Sequence, residues 1–180
     1  MGNPMWEVVK GKWAVPKDTR PSMKGRTVIV TGANVGLGFE ASAKLVELGA
    51  EKVILGVRTL SKGEDARKQI EARTGRSGAI EVWHLDMLDY ATIKAFADRA
   101  TNELPRLDYA ILNAGVAKME FEKSQYGHEQ TMQVNALSTA LLALLLTPKL
   151  RSSKTADFTP VLEIVGSGLV EILRSQPSHR

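Results

Sequence analysis

Cysteine is absent from the 180 residues. That excludes disulfides, thiolate zinc sites and a cysteine nucleophile, and it fits a reducing compartment, so a cytoplasmic location is the expectation. A membrane-spanning run is lacking as well. The most apolar stretch, 136–146, falls short of the ~20 residues a bilayer requires and reads as a buried helix. The first residues, MGNPMWEVVKGKW, have no sustained apolar core of the signal-peptide kind, and Trp6 stands where a myristoylation signal has Ser or Thr. A dominant charge is missing too: the net +4 comes from Lys and Arg scattered among acids, a solvated surface rather than a nucleic-acid stripe, so no nucleic-acid partner is expected. His84 has no second ligand at metal spacing, so no metal site is expected either.

What is present is the composition of a soluble globular chain, 43% hydrophobic and 24% charged. A chain of this length suits one domain that buries roughly 70% of its unfolded surface. Pro4, Pro16 and Pro21 with two tryptophans mark 1–24 as a leader lying along the domain, which occupies 25–180.

The organising stretch is TVIVTGANVGLG, 27–38. Val28, Ile29 and Val30 have the profile of a strand buried on both faces, and LGFEASAKLVEL from Leu37 carries apolar residues at helical spacing. The glycines therefore fall between a strand and a helix N-terminus, where unpaired N–H groups and aligned peptide dipoles suit a pyrophosphate. Gly32 permits the tight turn, Gly36 lets backbone approach phosphate, and Gly38 lets the helix lie close to the strand. The spacing is TGxxxGxG; a plain turn is the competing reading of the glycines alone.

The chain continues with a helix over 36–48, a strand over 52–57, and a helix opened by a Ser61/Glu64 capping box and closed at Gly75. At the end of the second strand, where NAD-binding folds place an acid on the ribose 2′-hydroxyl, stands Arg58. A guanidinium cannot accept that proton but pairs with a 2′-phosphate, which favours NADP; a surface arginine is the alternative. Further strands are expected over 80–85, 107–113 and 160–166, and a helix over 124–150. Asp86 reads either as a cofactor contact or as a helix cap, with Asp89 also available as cap, and Asn113 reads on its own as a turn former.

TGANVGLG at 31–38, LNAG at 112–115 and VNA at 134–136 together resemble the short-chain dehydrogenase/reductase family, in its NADP-preferring, retinol-dehydrogenase-like branch, from about residue 25 to about 169. The resemblance implies a Rossmann-like, doubly wound parallel α/β sheet with strand order 3-2-1-4-5. It implies NADP(H) held by Gly32, Asn34, Gly36, Leu37, Gly38 and Arg58, with Asp86 near the adenine, a backbone contact at Met87, and Asn113, Ala114 and Gly115 along the ribose. Asn135 matches the family's catalytic-set asparagine, expected to be buried with a specific partner for its amide. Ser167 matches the serine on the substrate carbonyl. The implied substrate is a small hydrophobic carbonyl or alcohol, in secondary metabolism.

The family also needs a tyrosine about a dozen residues after that serine and a lysine four further on. No tyrosine follows Tyr126 here and no lysine follows Lys154. Tyr90 and Lys94 have the spacing, but on the helix after the third strand rather than the fifth, so they are expected to face solvent or a neighbouring helix. The expectation is a chain truncated before its proton donor and impaired in catalysis. The alternative is an inactive NADP-binding module or a remnant. Two strands and two helices of the family would be missing, leaving apolar surface for a homo-oligomer or another partner.

Overall fold

The computed structural model describes residues 20–166. Strand β1, Thr27–Thr31, is buried at every position. It pairs in parallel with β2, Lys52–Val57, on one side and with β4, Tyr109–Leu112, on the other. Strand β3, Ile80–His84, and strand β5, Val161–Ile164, form the edges of a five-stranded sheet of order β3-β2-β1-β4-β5. This is the strand order the resemblance implied.

Because successive side chains of a strand point to opposite faces, the β-branched runs build two cores at once. Val28, Val30, Val53, Leu55 and Val57 meet Ala43 and Val46 of helix α1, Gly36–Glu47, and Ala66 and Ile70 of helix α2, Leu60–Thr74. Ile29, Ile54, Ala110 and Leu112 meet Ile93 and Phe96 of helix α3, Tyr90–Glu103, and Leu142 and Leu146 of helix α4, 130–152. All the crossovers are parallel, so the loops after the strands gather at one end of the sheet.

Helix α4 departs from the expected uniform helix over 124–150. It runs as an α turn, Gln130–Met132, a π turn, Gln133–Ser138, and an α segment, Thr139–Ser152. Its start is delayed by a tight turn at 124–128, in which Gly127 takes φ +81° and the Ser124 N–H donates to the His128 carbonyl. Glu129 then caps the helix, accepting from the N–H groups of Thr131 and Met132. The stretch 130–152 counts 23 residues and contains an 18-residue window of mean hydropathy 1.3, long and apolar enough by itself to cross a membrane. Here Leu142, Leu146 and Leu150 pack it into the core of the sheet.

The Ser61/Glu64 capping box does not form. Helix α2 begins at Leu60, so Ser61 lies inside it, and Glu64 pairs with Arg67 one turn on at 2.8 Å. Gly75 closes the helix in the left-handed conformation, as expected.

One buried carboxylate ties the N-terminal ends of β1 and β4 together. Asp108, fully buried, accepts from the Thr27 N–H at 2.9 Å, from Arg26 at 3.0 Å and from Arg106 through two nitrogens at 2.9 and 2.6 Å. Toward β5 the sheet is less covered: Leu144 is 72% exposed and Ile164 54%. Tyr109 and Ile111 are only half-buried on the face that α1 and α2 cover elsewhere.

Asp108→Ala should lower unfolding free energy by about 2–3 kcal/mol in chemical denaturation, since it orphans a buried N–H and unpairs two guanidinium groups. Two backbone N–H groups hold the Glu129 carboxyl below the usual carboxylate range. A lowered pKa gives stability that is present at neutral pH and lost as pH falls through the lowered value. Wild type should therefore exceed Glu129→Ala in stability at neutral pH, and the gap should close in acid, as read by paired thermal melts.

Candidate functional site

Where β1 ends, Gly32 turns the chain with φ +64°, and its N–H is held by the Gly56 carbonyl at 2.9 Å. A Cβ at Gly32 would stand 2.9 Å from the Ala114 backbone. Helix α1 then starts with Val35 at its N-cap, which contributes no side-chain hydrogen bond, and no acid occupies the first turn. The N-terminal amides of this helix thus keep their hydrogen-bonding capacity and positive partial charge for something else.

Gly38 closes the turn from beneath. A Cβ there would come within 2.5 Å of both the Gly32 carbonyl oxygen and the Asn113 side-chain nitrogen. Asn113 is a brace: its amide donates to the Thr31 carbonyl at 3.0 Å, and the Thr31 hydroxyl accepts from the backbone N–H groups of Asn113 and Ala114 at 3.0 and 2.9 Å. The NAG segment and the glycine turn are therefore one rigid unit.

A cleft of about 350 Å³ opens above this unit. The loop after β1 supplies Gly32, Asn34 and Val35, and the end of β2 with the loop after it supplies Gly56, Arg58 and Thr59. The loop after β3 supplies Leu85 to Leu88, and the end of β4 supplies Asn113 to Val116. Lys62 of α2 and Val134 of α4 complete the lining. Of the residues expected on a cofactor, Gly32, Asn34, Arg58, Asp86, Met87, Asn113, Ala114 and Gly115 meet at this cleft. Gly36 has φ +59° with open space beside it, Leu37 is 76% exposed, and Gly38 lies buried under the turn. Ser167 lies outside the described residues.

Arg58 is exposed and has no ion-pair or hydrogen-bond partner among the described residues. Lys62, missed in the sequence, joins it on the same side; its spacing of four residues from Arg58 was the available signal. Asp86 is not the helix cap. Asp89 caps α3 by accepting from the Ala91 N–H, while one Asp86 oxygen accepts from the Leu88 N–H at 2.9 Å and the other keeps its capacity for a ligand. Met87 is buried, and its carbonyl already accepts the Ser138 hydroxyl at 2.6 Å.

Asn135 is exposed rather than buried. The π turn carries its amide out to Val116, whose N–H it accepts at 2.9 Å and whose carbonyl it bonds at 2.8 Å. The expected specific partner is thus a backbone, and the effect is to fix the loop after β4. Tyr90 and Lys94 stand away from the cleft: the Tyr90 ring packs on Tyr126 at 4.4 Å between centroids, and Lys94 is exposed. Tyr126 donates to Asp89 at 3.1 Å, and burial with that carboxylate pushes its hydroxyl pKa up. No cluster of metal-ligating side chains occurs among the described residues.

Gly38→Ala should disrupt the turn outright, because its methyl meets backbone on one side and the Asn113 brace on the other. Gly36→Ala meets no atom and should cost about 1 kcal/mol of φ strain. Thermal melts of the two variants should separate them clearly.

A family model described as short chain dehydrogenase matches residues 26–158. The short-chain dehydrogenase/reductase phmF of Phaeosphaeria nodorum is 48% identical over 153 residues, which cover 84% of this chain and 45% of that protein. The short chain dehydrogenase virL of Hypocrea virens is 46% identical over 159 residues, 86% of this chain and 46% of that protein. Among solved structures, the RhlG/NADP active-site complex of Pseudomonas aeruginosa superposes with a TM-score of 0.69 at 27% identity, over 83% of this chain and 56% of that one. A protein of Escherichia coli CFT073 described as a short chain dehydrogenase and solved with NADPH gives 0.69 at 27%, over 88% and 64%. The chain spans about half the length of the curated relatives it matches. With a family model covering most of its length and the glycine turn, the NAG brace and the VNA turn assembled around one cleft, the chain belongs to the short-chain dehydrogenase/reductase family.

Proposed function

We propose that the chain is the NADP(H)-binding portion of a carbonyl or alcohol oxidoreductase acting on a small hydrophobic substrate in secondary metabolism, in the cytoplasm. The observation that carries the cofactor choice is Arg58, unpaired among the described residues at the rim of the cleft, with Lys62 on the same lining and no acid at the end of β2. A 2′-phosphate answers both cations; a bare 2′-hydroxyl answers neither. Support also comes from the NADP and NADPH complexes of the structural relatives.

In this reading the uncapped amides of α1 take the pyrophosphate, Asp86 and the backbone at Met87 face the adenine, and Ala114 and Gly115 line the ribose. The cofactor supplies the hydride in carbonyl reduction, and the protein supplies orientation and a proton. Asn135 fixes the loop at Val116 beside the reacting end, and Ser167 is assigned to the substrate carbonyl. The proton needs an acid whose pKa a nearby cation lowers. The 180 residues have no tyrosine after Tyr126 and no lysine after Lys154, and the Tyr90/Lys94 pair is turned to a tyrosine stack and to solvent. Binding without turnover is therefore the behaviour assigned to these residues alone. The exposed apolar surface at Leu144 and Ile164 is assigned to a second copy or to a further protein segment.

NADPH fluorescence titration tests this directly. The 180-residue chain should bind NADPH in the micromolar range, and Arg58→Glu should weaken it by roughly 10- to 100-fold, the scale of a charge-assisted contact replaced by repulsion. Equal affinity of the variant for NADPH would contradict the assignment. A carbonyl panel with NADPH should show no oxidation above background.

A further inference from the structure

The π turn of α4 does more than display Asn135. Gln133 and Ser138 are both fully buried, and both reach the loop after β3: the Gln133 amide donates to the Leu88 carbonyl at 3.1 Å and the Ser138 hydroxyl to the Met87 carbonyl at 2.6 Å. Residues five apart on an α-helix lie roughly 0.4 of a turn from one another and cannot serve one short loop. A turn closed i→i+5 brings them to one face. The widening is itself secured, since the Thr139 hydroxyl donates to the Val134 carbonyl five residues back at 2.9 Å. Between these two side chains, Asn135 projects to Val116 on the other wall.

Strand order gives these contacts their meaning. The loop after β3 lies at the β2–β3 end of the cleft, on the Arg58 side, and the loop at Val116 lies across β1 at the β4 end. One π turn therefore grips both ends. Gln133 is also a costly choice for packing alone: its amide oxygen is buried with no hydrogen-bond partner among the described residues. An apolar residue would spare that cost, so the residue's use lies in the bond it gives to Leu88.

We propose that Gln133 and Ser138 are positioning residues for the adenine half of the cofactor site: they hold Asp86 to Leu88 at the spacing the adenosine requires. The proposal rests on the NADP(H) reading above. Its test is titration of NADPH and of 2′,5′-ADP, which carries only the adenine half, against wild type, Gln133→Met, Ser138→Ala and Leu150→Ala. Leu150 packs in the core at the far end of the same helix, so its truncation lowers stability without touching the loop. Gln133→Met and Ser138→Ala should each weaken both ligands by roughly 2- to 10-fold, the scale of one net hydrogen bond, while remaining cooperatively folded. Leu150→Ala should lower the melting temperature and leave 2′,5′-ADP affinity within two-fold. Unchanged affinities in folded Gln133→Met and Ser138→Ala, or an equal loss in Leu150→Ala, would overturn the proposal while leaving NADP(H) binding intact. Failure of wild type to bind either ligand would overturn both.

Discussion

The cleft depends on a close approach between two stretches of backbone. Helix α1 can begin directly beneath the end of β1 only because Gly38 puts nothing between itself and the Gly32 carbonyl, where any side chain would stand within 2.5 Å. That approach aims the unpaired amides of α1 into the cleft and brings Asn113 under the turn as a brace to Thr31. The remaining architecture follows from keeping this junction rigid. Strand β1 is central and buried at all five positions, its neighbours pair with it in parallel, and both faces are packed, so the turn has no direction in which to relax.

Rigidity at one end of the sheet is matched by a different device at the other. The N-terminal ends of β1 and β4 are held by the buried Asp108 carboxylate and its two arginines, whereas their C-terminal ends are held by the Thr31 hydroxyl and the Asn113 amide. Strands pinned at both ends leave the connecting loops as the adjustable parts. Those after β3 and β4 are secured in turn by side chains from the π turn of α4. Three of the loops around the cleft, those after β1, β3 and β4, are thus each fastened by side-chain hydrogen bonds, the condition for a site that binds without reorganising.

Much of this was legible in the sequence because the residues involved have few alternatives. A β-branched run ending in TGxxxGxG before a helical pattern left little freedom for β1, the turn or α1, and Arg58 lies just past β2 as expected, on the lining of the cleft. Three features were not legible, each for a physical reason. Ser61 and Glu64 had capping-box spacing, yet the N-cap fell two residues earlier, at Thr59, and the box had no cap to form. Apolar periodicity placed the start of α4 at 124, but periodicity is blind to the left-handed Gly127 that turns the chain and passes the cap to Glu129. Asn135, set among apolar neighbours, was expected inside. A π turn has no sequence period of its own to read, and it is the π turn that brings this side chain to the Val116 backbone.

The central claim is that the uncapped turn between β1 and α1 receives the cofactor's diphosphate. Amide chemical-shift mapping during NADPH titration measures it residue by residue. The largest shifts should fall on the amides of 34–38, with a second group at 113–116 and on the side of Arg58. Shifts that bypass 34–38 while NADPH binds elsewhere on the chain would contradict the account.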